Sequence, residues 1–276
     1  MRSAGVSNLR TALASFDSVS LLDEFLAALP AAEARRLAHD WPLWARDDQL
    51  PEMARPWRTW LVLGGRGSGK TRAGAEWVRA RALGLTPYAG RAAKRIALVG
   101  ETLGDVRSVM IEGVSGLLAV HAPDEAPLFE PSKRQLVWPN GAIGQIFSAD
   151  EPDGLRGPQF EVAWLDEIAK WRQAERTFDM LQFALRLGDN PQQVVTTTPR
   201  PMPLLKRLLA DPGTVVSRSR TADNAAFLAP SFIETLNGRY GGSVLGRQEL
   251  DGELVEDVED ALFKRAWIET ARVVAA

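Results

Sequence analysis

One stretch limits what this chain can fold into more than any other. Residues 60 to 78 read Trp-Leu-Val-Leu-Gly-Gly-Arg-Gly-Ser-Gly-Lys-Thr-Arg-Ala-Gly-Ala-Glu-Trp-Val. The apolar run Trp60 to Leu63 reads as a short buried strand, and the Ala-rich, charged segment from Thr71 reads as a helix. Between them lies G-x-x-x-x-G-K-T, the phosphate-loop pattern in the strand-to-helix setting that it needs. Glycines let the backbone curl so that successive N–H groups point inward at phosphate oxygens. The helix start adds its positive dipole end. Lys70 can reach β- and γ-phosphates, and the Thr71 hydroxyl can sit on Mg²⁺. The bare pattern also arises by chance in glycine-rich turns; requiring the strand before and the helix after removes most such cases. Nucleotide contacts are therefore expected from Gly65, Arg66, Gly67, Ser68, Gly69, Lys70, Thr71 and Arg72.

Composition sets the outer bounds. With 276 residues, 45% of them hydrophobic and 25% charged, the chain can hold one large α/β domain with small attachments. No apolar run of about 18 residues is present, so no membrane span is expected. The N-terminus lacks the pattern of a secretory signal. The absence of cysteine fits a reducing compartment and excludes disulfides and thiolate metal sites. Two histidines, His39 and His121, make a histidine-based metal site an unfavoured reading. A net charge of −2 speaks against non-specific coating of nucleic acid. Most of the nine tryptophans are expected in the core.

Along the chain, Val19, Leu22, Phe25, Leu26, Leu29 and Leu37 suggest one or two amphipathic helices broken near Pro30. Residues 41 to 56 are rich in Trp and Pro and read as irregular. The helix after the loop is expected to stop at Gly84. Lys94 to Val99 reads as a strand. The spacing of Leu103, Val106, Met110, Val114, Leu117 and Leu118 predicts a helix over 102 to 120. Two β-rich runs flank Asn140-Gly141, a hairpin signal. Strands are expected over 160 to 165, 193 to 197 and 213 to 217, with helices over 175 to 187 and 202 to 210. The alternation predicts a mainly parallel sheet covered on both faces, with an inserted hairpin. Residues 221 to 255 read as small helices around Gly238, Gly241 and Gly242, a candidate lid.

Two further strand ends carry chemistry. Val162-Ala163-Trp164-Leu165 runs into Asp166-Glu167. Strand carboxyl ends face the ligand crevice in parallel sheets. Asp166 would face the Mg²⁺ water shell, and Glu167 would orient and deprotonate an attacking water. Taken alone, the pair could equally cap a helix. Thr196-Thr197-Thr198-Pro199 ends the next strand, where hydroxyls could sense the γ-phosphate; β-branched residues also simply suit a strand end. Arg66 and Arg156, the latter in Gly154-Leu155-Arg156-Gly157, are the arginine-finger candidates. On residue type alone, Arg156 reads as a surface arginine.

At this point the chain resembles a known family. Gln49-Leu50-Pro51, Trp57 to Leu61, Gly65 to Trp77, Leu155-Arg156-Gly157-Pro158, Trp164 to Glu167, Thr196 to Pro201 and Arg247-Gln248-Glu249-Leu250 are similar to the large terminase of tailed phages, prophages and gene transfer agents. The resemblance implies an α/β fold of the P-loop NTPase, RecA/ASCE-like type, with a small C-terminal lid. It divides the chain into an N-terminal adenine-side segment (1 to 55), an ATPase core (56 to 217), a lid (218 to 258) and a linker (259 to 276). It implies an ATP- and Mg²⁺-dependent motor that drives double-stranded DNA into a procapsid in the cytoplasm. Portal protein and a small terminase subunit would be partners. The ATPase would act as a homo-oligomeric ring, commonly of five subunits, while an isolated fragment can be monomeric. Gln49 would read adenine, Arg66 would be the arginine peculiar to this loop, Arg156 would act on a neighbour's ATP, and Thr196 to Thr198 would couple hydrolysis to movement.

One departure stands out. Family members usually carry a C-terminal nuclease domain, which would begin near Ala276. The acids from Asp251 to Asp260 read as a solvated linker rather than a metal site, so no DNA cleavage is expected. Two rival functions remain at this stage. A helicase or remodelling ATPase shares the Asp-Glu motif but needs a second RecA-like domain. A nucleotide-gated adaptor would have little need of Glu167.

Overall fold

The structure is a computed structural model; it describes residues 27 to 255 together with Glu24. The expectations for Val19, Leu22, Phe25 and Leu26, and for the linker over 259 to 276, lie outside the described residues. Helix α1 (Ala31–Ala38) begins directly after Pro30, whose fixed φ and missing N–H suit a helix start. The stretch after it holds a helical turn at Trp41–Trp44 and a 3₁₀ turn at Asp47–Gln49.

Eight strands form one sheet: β1 (Thr59–Gly64), β2 (Arg95–Gly100), β3 (Leu128–Glu130), β4 (Gln135–Val137), β5 (Ile143–Ser148), β6 (Val162–Asp166), β7 (Gln192–Thr197) and β8 (Thr214–Ser219). Their spatial order is β3-β4-β5-β2-β6-β7-β1-β8. Strands β5, β2, β6, β7, β1 and β8 run parallel, while β3 and β4 add an antiparallel flap. The flap's β4 and β5 flank Asn140-Gly141, with Gly141 at φ 81°. The mainly parallel sheet and the inserted hairpin are thus as expected; β3 is additional, too short for a periodic signal.

The inner strands are buried on both faces. Trp60, Val62, Ile96, Leu98, Trp164 and Val194 face one core with helix α2 (Lys70–Leu83); Leu61, Leu63, Ala97, Val99, Leu165 and Val195 face the other. Helices α3 (Ala174–Ala184) and α4 (Pro203–Ala210) cover that second face through Phe178, Leu181, Leu204 and Leu208. Trp60, Trp77, Trp138 and Trp164 are all buried. Each removes about 150–250 Å² from water, an upper-bound gain of several kcal/mol at about 25 cal/mol per Å². Helix α2 ends at Gly84 in the left-handed conformation, φ 76°, as the sequence signalled.

The helix expected over 102 to 120 is corrected. The segment is a turn at Leu103–Asp105, a π-helical stretch at Val106–Ile111 and a separate turn at Leu117–Val120. The wider π turn shifts the side-chain register, and the chain breaks across Gly113 to Gly116. A Cβ on Gly113 would stand 2.5 Å from the Val109 carbonyl. Val114, expected on the apolar face, is 95% exposed. After β8, a 3₁₀ stretch (Thr221–Phe227) leads to α5 (Pro230–Tyr240) and α6 (Val244–Glu249). Gly238 lies inside α5 rather than between helices.

Buried His121 joins the flap to the core. Trp138 Nε1 donates to His121 Nε2 at 2.8 Å, and His121 Nδ1 lies 2.5 Å from the Leu117 carbonyl. This pair of partners fits the neutral ring with its proton on Nδ1. Burial first of all depresses its pKa to about 4. A folded pKa below the unfolded value of about 6.5 means that the unfolded chain takes up the proton first as pH falls. His121's contribution is therefore constant above about pH 6.5 and is lost between there and about 4, by on the order of 3 kcal/mol. His121→Gln keeps an acceptor without titrating. Its urea-unfolding free energy should fall less steeply than wild type across this window; equal slopes would show that His121 is not the group responsible.

Candidate functional site

The site forms where the carboxyl ends of β1, β6 and β7 meet. Strand β7 lies between β1 and β6. Register pairs Asp166 with Thr196 and Leu63 with Thr197, so the glycine loop, the acid pair and the threonines stand at one level of the sheet. Helix α2 comes unusually close to β6. A Cβ on Gly74 would stand 2.5 Å from the Trp164 ring, so only glycine lets the loop's helix sit this near the acid-bearing strand.

Within the loop, Gly67 and Gly69 adopt positive φ, 71° and 91°. Gly69 is the residue before α2, and any side chain there would meet Gln49 Nε2. The Lys70 side chain is 6% exposed; its Nζ donates to the Gly65 carbonyl at 3.2 Å and stands 3.3 Å from Glu167 Oε1. The lysine of one motif and the acid of the other are therefore in direct contact.

Asp166 is buried and accepts a hydrogen bond from Thr196 Oγ1 on Oδ1. Burial, with the neighbouring Glu167 charge adding to it, pushes its pKa up to about 7. Glu167 takes a left-handed backbone, φ 55°, rare for a residue with a side chain. Two bonds to β7 and its end hold it there: its N–H donates to the Thr196 carbonyl at 2.6 Å, and Thr198 N–H donates to its Oε2 at 3.3 Å. Thr196 Oγ1 also accepts from Trp164 Nε1 at 2.9 Å, and Thr197 Oγ1 accepts from Ala169 N–H at 3.1 Å. All three threonines are buried. The hydroxyls of Thr196 and Thr197 thus serve the acid pair and the turn after it.

The donor set suits Mg²⁺. A buried carboxyl beside a second one carries a desolvation cost that a divalent cation offsets, and Thr71 lies in the first turn of α2. Among the described residues no group of three or more acidic or histidine side chains is poised to hold a metal.

The other expected site residues either brace the loop or turn away from it. Gln49 is buried and donates from Nε2 to the Gly69 carbonyl at 3.2 Å. Arg72 pairs with Glu76 at 2.7 Å and lies over the Trp41 ring. Arg66 turns outward, 61% exposed, to pair with Glu249 at 2.7 Å. Arg156 pairs with Asp153 at 3.1 Å on an exposed turn beside α3, with its side chain 67% exposed. Sequence reading missed Arg46, Thr221 and Asn224, which also touch the loop; their contacts cross more than 150 residues in two cases, beyond any local pattern.

A model of the family "Terminase large subunit, T4likevirus-type, N-terminal" matches residues 61–270. No curated protein matches. Among solved structures, the fold is similar to the large terminase ATPase domain of Thermus phage P74-26, at 16% identity and TM-score 0.57, covering 76% of this chain and 94% of that one. It is also similar to the large terminase of a second thermophilic bacteriophage, at 15% identity and TM-score 0.58, covering 80% and 53%. The bacteriophage HK97 large terminase gives 17% identity and TM-score 0.55, covering 82% and 50%. The chain thus spans about half the length of the latter two proteins. The protein of that second thermophilic phage has been solved with ADP and with ATP-γ-S. At these identities the structures establish a shared fold, while the family match over most of the chain establishes membership: this protein belongs to the terminase large subunits, in whose N-terminal region its matched residues fall.

Proposed function

We propose that this chain is the ATP-hydrolysing motor domain of a DNA-packaging terminase, moving double-stranded DNA into a procapsid. The observation that carries the reading is the 3.3 Å contact between Lys70 Nζ and Glu167 Oε1. A triphosphate seated on the loop would enter between them, and both side chains would then face its terminal phosphate. Lys70 offsets charge on the β- and γ-oxygens. Glu167, held by two bonds to β7 and its end, orients a water and accepts its proton. Asp166 and Thr71 would hold Mg²⁺, which supplies positive charge to the phosphate oxygens when bound. Thr196 to Thr198 link the acid pair to β7, so a change at Glu167 is felt along that strand. Gln49, which braces the Gly69 carbonyl, would read adenine, and Arg66 and Arg72 would reach a nucleotide by leaving Glu249 and Glu76.

Arg156 stands exposed on its turn, paired only locally with Asp153, which supports action on the nucleotide of a neighbour in a ring, with five subunits as the working number. Portal protein, the small terminase subunit and duplex DNA are the partners in this reading, and the cytoplasm of the producing cell is the place. Among the described residues no helix is long and apolar enough to cross a membrane. The helicase reading loses support because the family model matched over residues 61–270 is that of terminase large subunits. The adaptor reading loses support because Glu167 stands at Lys70.

Wild-type protein should hydrolyse ATP, with stimulation by duplex DNA that weakens as salt rises. Glu167→Ala should keep ATP binding and lose about a hundredfold or more in turnover; unchanged turnover would remove Glu167 as the base and favour the adaptor. Lys70→Ala should weaken ATP binding about tenfold or more, and normal turnover in it would remove the assigned site.

Arg156→Ala should lower turnover about a thousandfold in assembled rings. Mixing it with Glu167→Ala subunits, which supply the arginine, should restore activity measured as phosphate release; no recovery would count against action between subunits.

A further inference from the structure

The outer side of the phosphate loop is hydrogen-bonded at four consecutive carbonyls by side chains from elsewhere in the chain. Thr221 Oγ1 donates to the Arg66 carbonyl at 2.7 Å, and Asn224 Nδ2 to that of Gly67 at 2.7 Å. Arg46 Nη2 donates to the Ser68 carbonyl at 2.7 Å, and Gln49 Nε2 to that of Gly69 at 3.2 Å. In a trans peptide the carbonyl and the following N–H point in opposite directions. Holding the carbonyls of Arg66, Gly67 and Ser68 outward therefore turns the N–H groups of Gly67, Ser68 and Gly69 toward the loop's interior, while the Gly69 carbonyl also accepts the first bond of α2, from Ala73 N–H at 3.1 Å. Of these, Ser68 N–H rests on the Gly65 carbonyl at 3.2 Å.

The four donors come from two segments far apart in sequence, and one contact joins them. Arg46 Nη1 donates to Asn224 Oδ1 at 2.9 Å across 178 residues. Asp48 fixes the Arg46 guanidinium with two bonds, from Nε at 3.0 Å and Nη2 at 2.8 Å. Arg46 thus touches the strap before β1, the loop, and the segment after β8 at once. The planar guanidinium suits this task, because its donors diverge in fixed directions.

We propose that Arg46 and Asn224 are positioning residues for nucleotide binding: together they hold the peptides at 67 and 68 with carbonyls out and N–H groups in. The inference rests on the loop's being a nucleotide site and adds which distant residues set its shape. Neither residue needs to touch the phosphates. Their removal should act on affinity, since a loop free to rotate those peptides must be ordered by the ligand itself. The C-terminal segment then reports on the loop directly, because Asn224 leaves Gly67 and Arg46 together if that segment lifts.

The test is the dissociation constant for a fluorescent ADP analogue with Mg²⁺, measured on the whole chain with thermal unfolding alongside. Asn224→Ala is neutral in charge and sits at a partly exposed position. It should weaken binding about tenfold with the melting temperature little changed. Arg46→Ala should weaken binding at least as much, and the double variant should be no weaker than Arg46→Ala alone, because the two share one network. Asp223→Ala is the control: it is adjacent and pairs with Arg220, and it should stay within about twofold of wild type. Asn224→Ala binding as tightly as that control would overturn the proposal. So would Asp223→Ala matching the loss expected of Asn224→Ala, or losses in the two single variants that multiply in the double. Wild type binding no ADP would instead remove the nucleotide reading, and the positioning role with it.

Discussion

The 3.3 Å approach of Lys70 to Glu167 is the contact on which the rest of this structure depends. It brings a lysine from the start of a helix against an acid from the end of a strand, with β7 lying between their two strands. The chain can make this contact only because several separate requirements are met. Gly74 lets α2 settle on Trp164. The Trp164 indole in turn donates to Thr196, and Thr196 holds both the Asp166 carboxyl and, through its carbonyl, the Glu167 backbone. A single line of packed and hydrogen-bonded groups thus runs from the phosphate-loop helix to the acid pair.

The energetics explain why such polar groups tolerate burial. The strands that carry them are apolar on both faces, and the two cores on either side supply the bulk of the stabilisation. Against that background a carboxyl as buried as Asp166 is costly and is only partly relieved by Thr196. Its raised pKa expresses this cost. Glu167 adds a left-handed backbone held by bonds to β7. Cost concentrated at strand ends beside a glycine loop is characteristic of a place that binds a highly charged ligand.

Much of this was legible in the sequence because it is local. The loop, its flanking strand and helix, the Asp166-Glu167 strand end, the Asn140-Gly141 hairpin and the Gly84 stop each lie within a short window. The parallel sheet followed from their alternation. Where reading failed, geometry beyond the window decided. The π turn at 106 to 111 shifted a spacing that looked helical and put Val114 in solvent. The three residues of β3 could not show a period. Nor could the sequence show that the Thr196 and Thr197 hydroxyls bond the acid pair and the turn after it. The outer hydrogen bonds of Arg46, Thr221 and Asn224 join parts of the chain that nothing in the sequence pairs.

A crystal structure with Mg²⁺ and a non-hydrolysable ATP analogue would test the central claim most directly. The terminal phosphate should lie between Lys70 Nζ and the Glu167 carboxylate, with the 3.3 Å contact opened to admit it. A triphosphate bound elsewhere, or one bound while Lys70 and Glu167 remain in contact, would contradict the account.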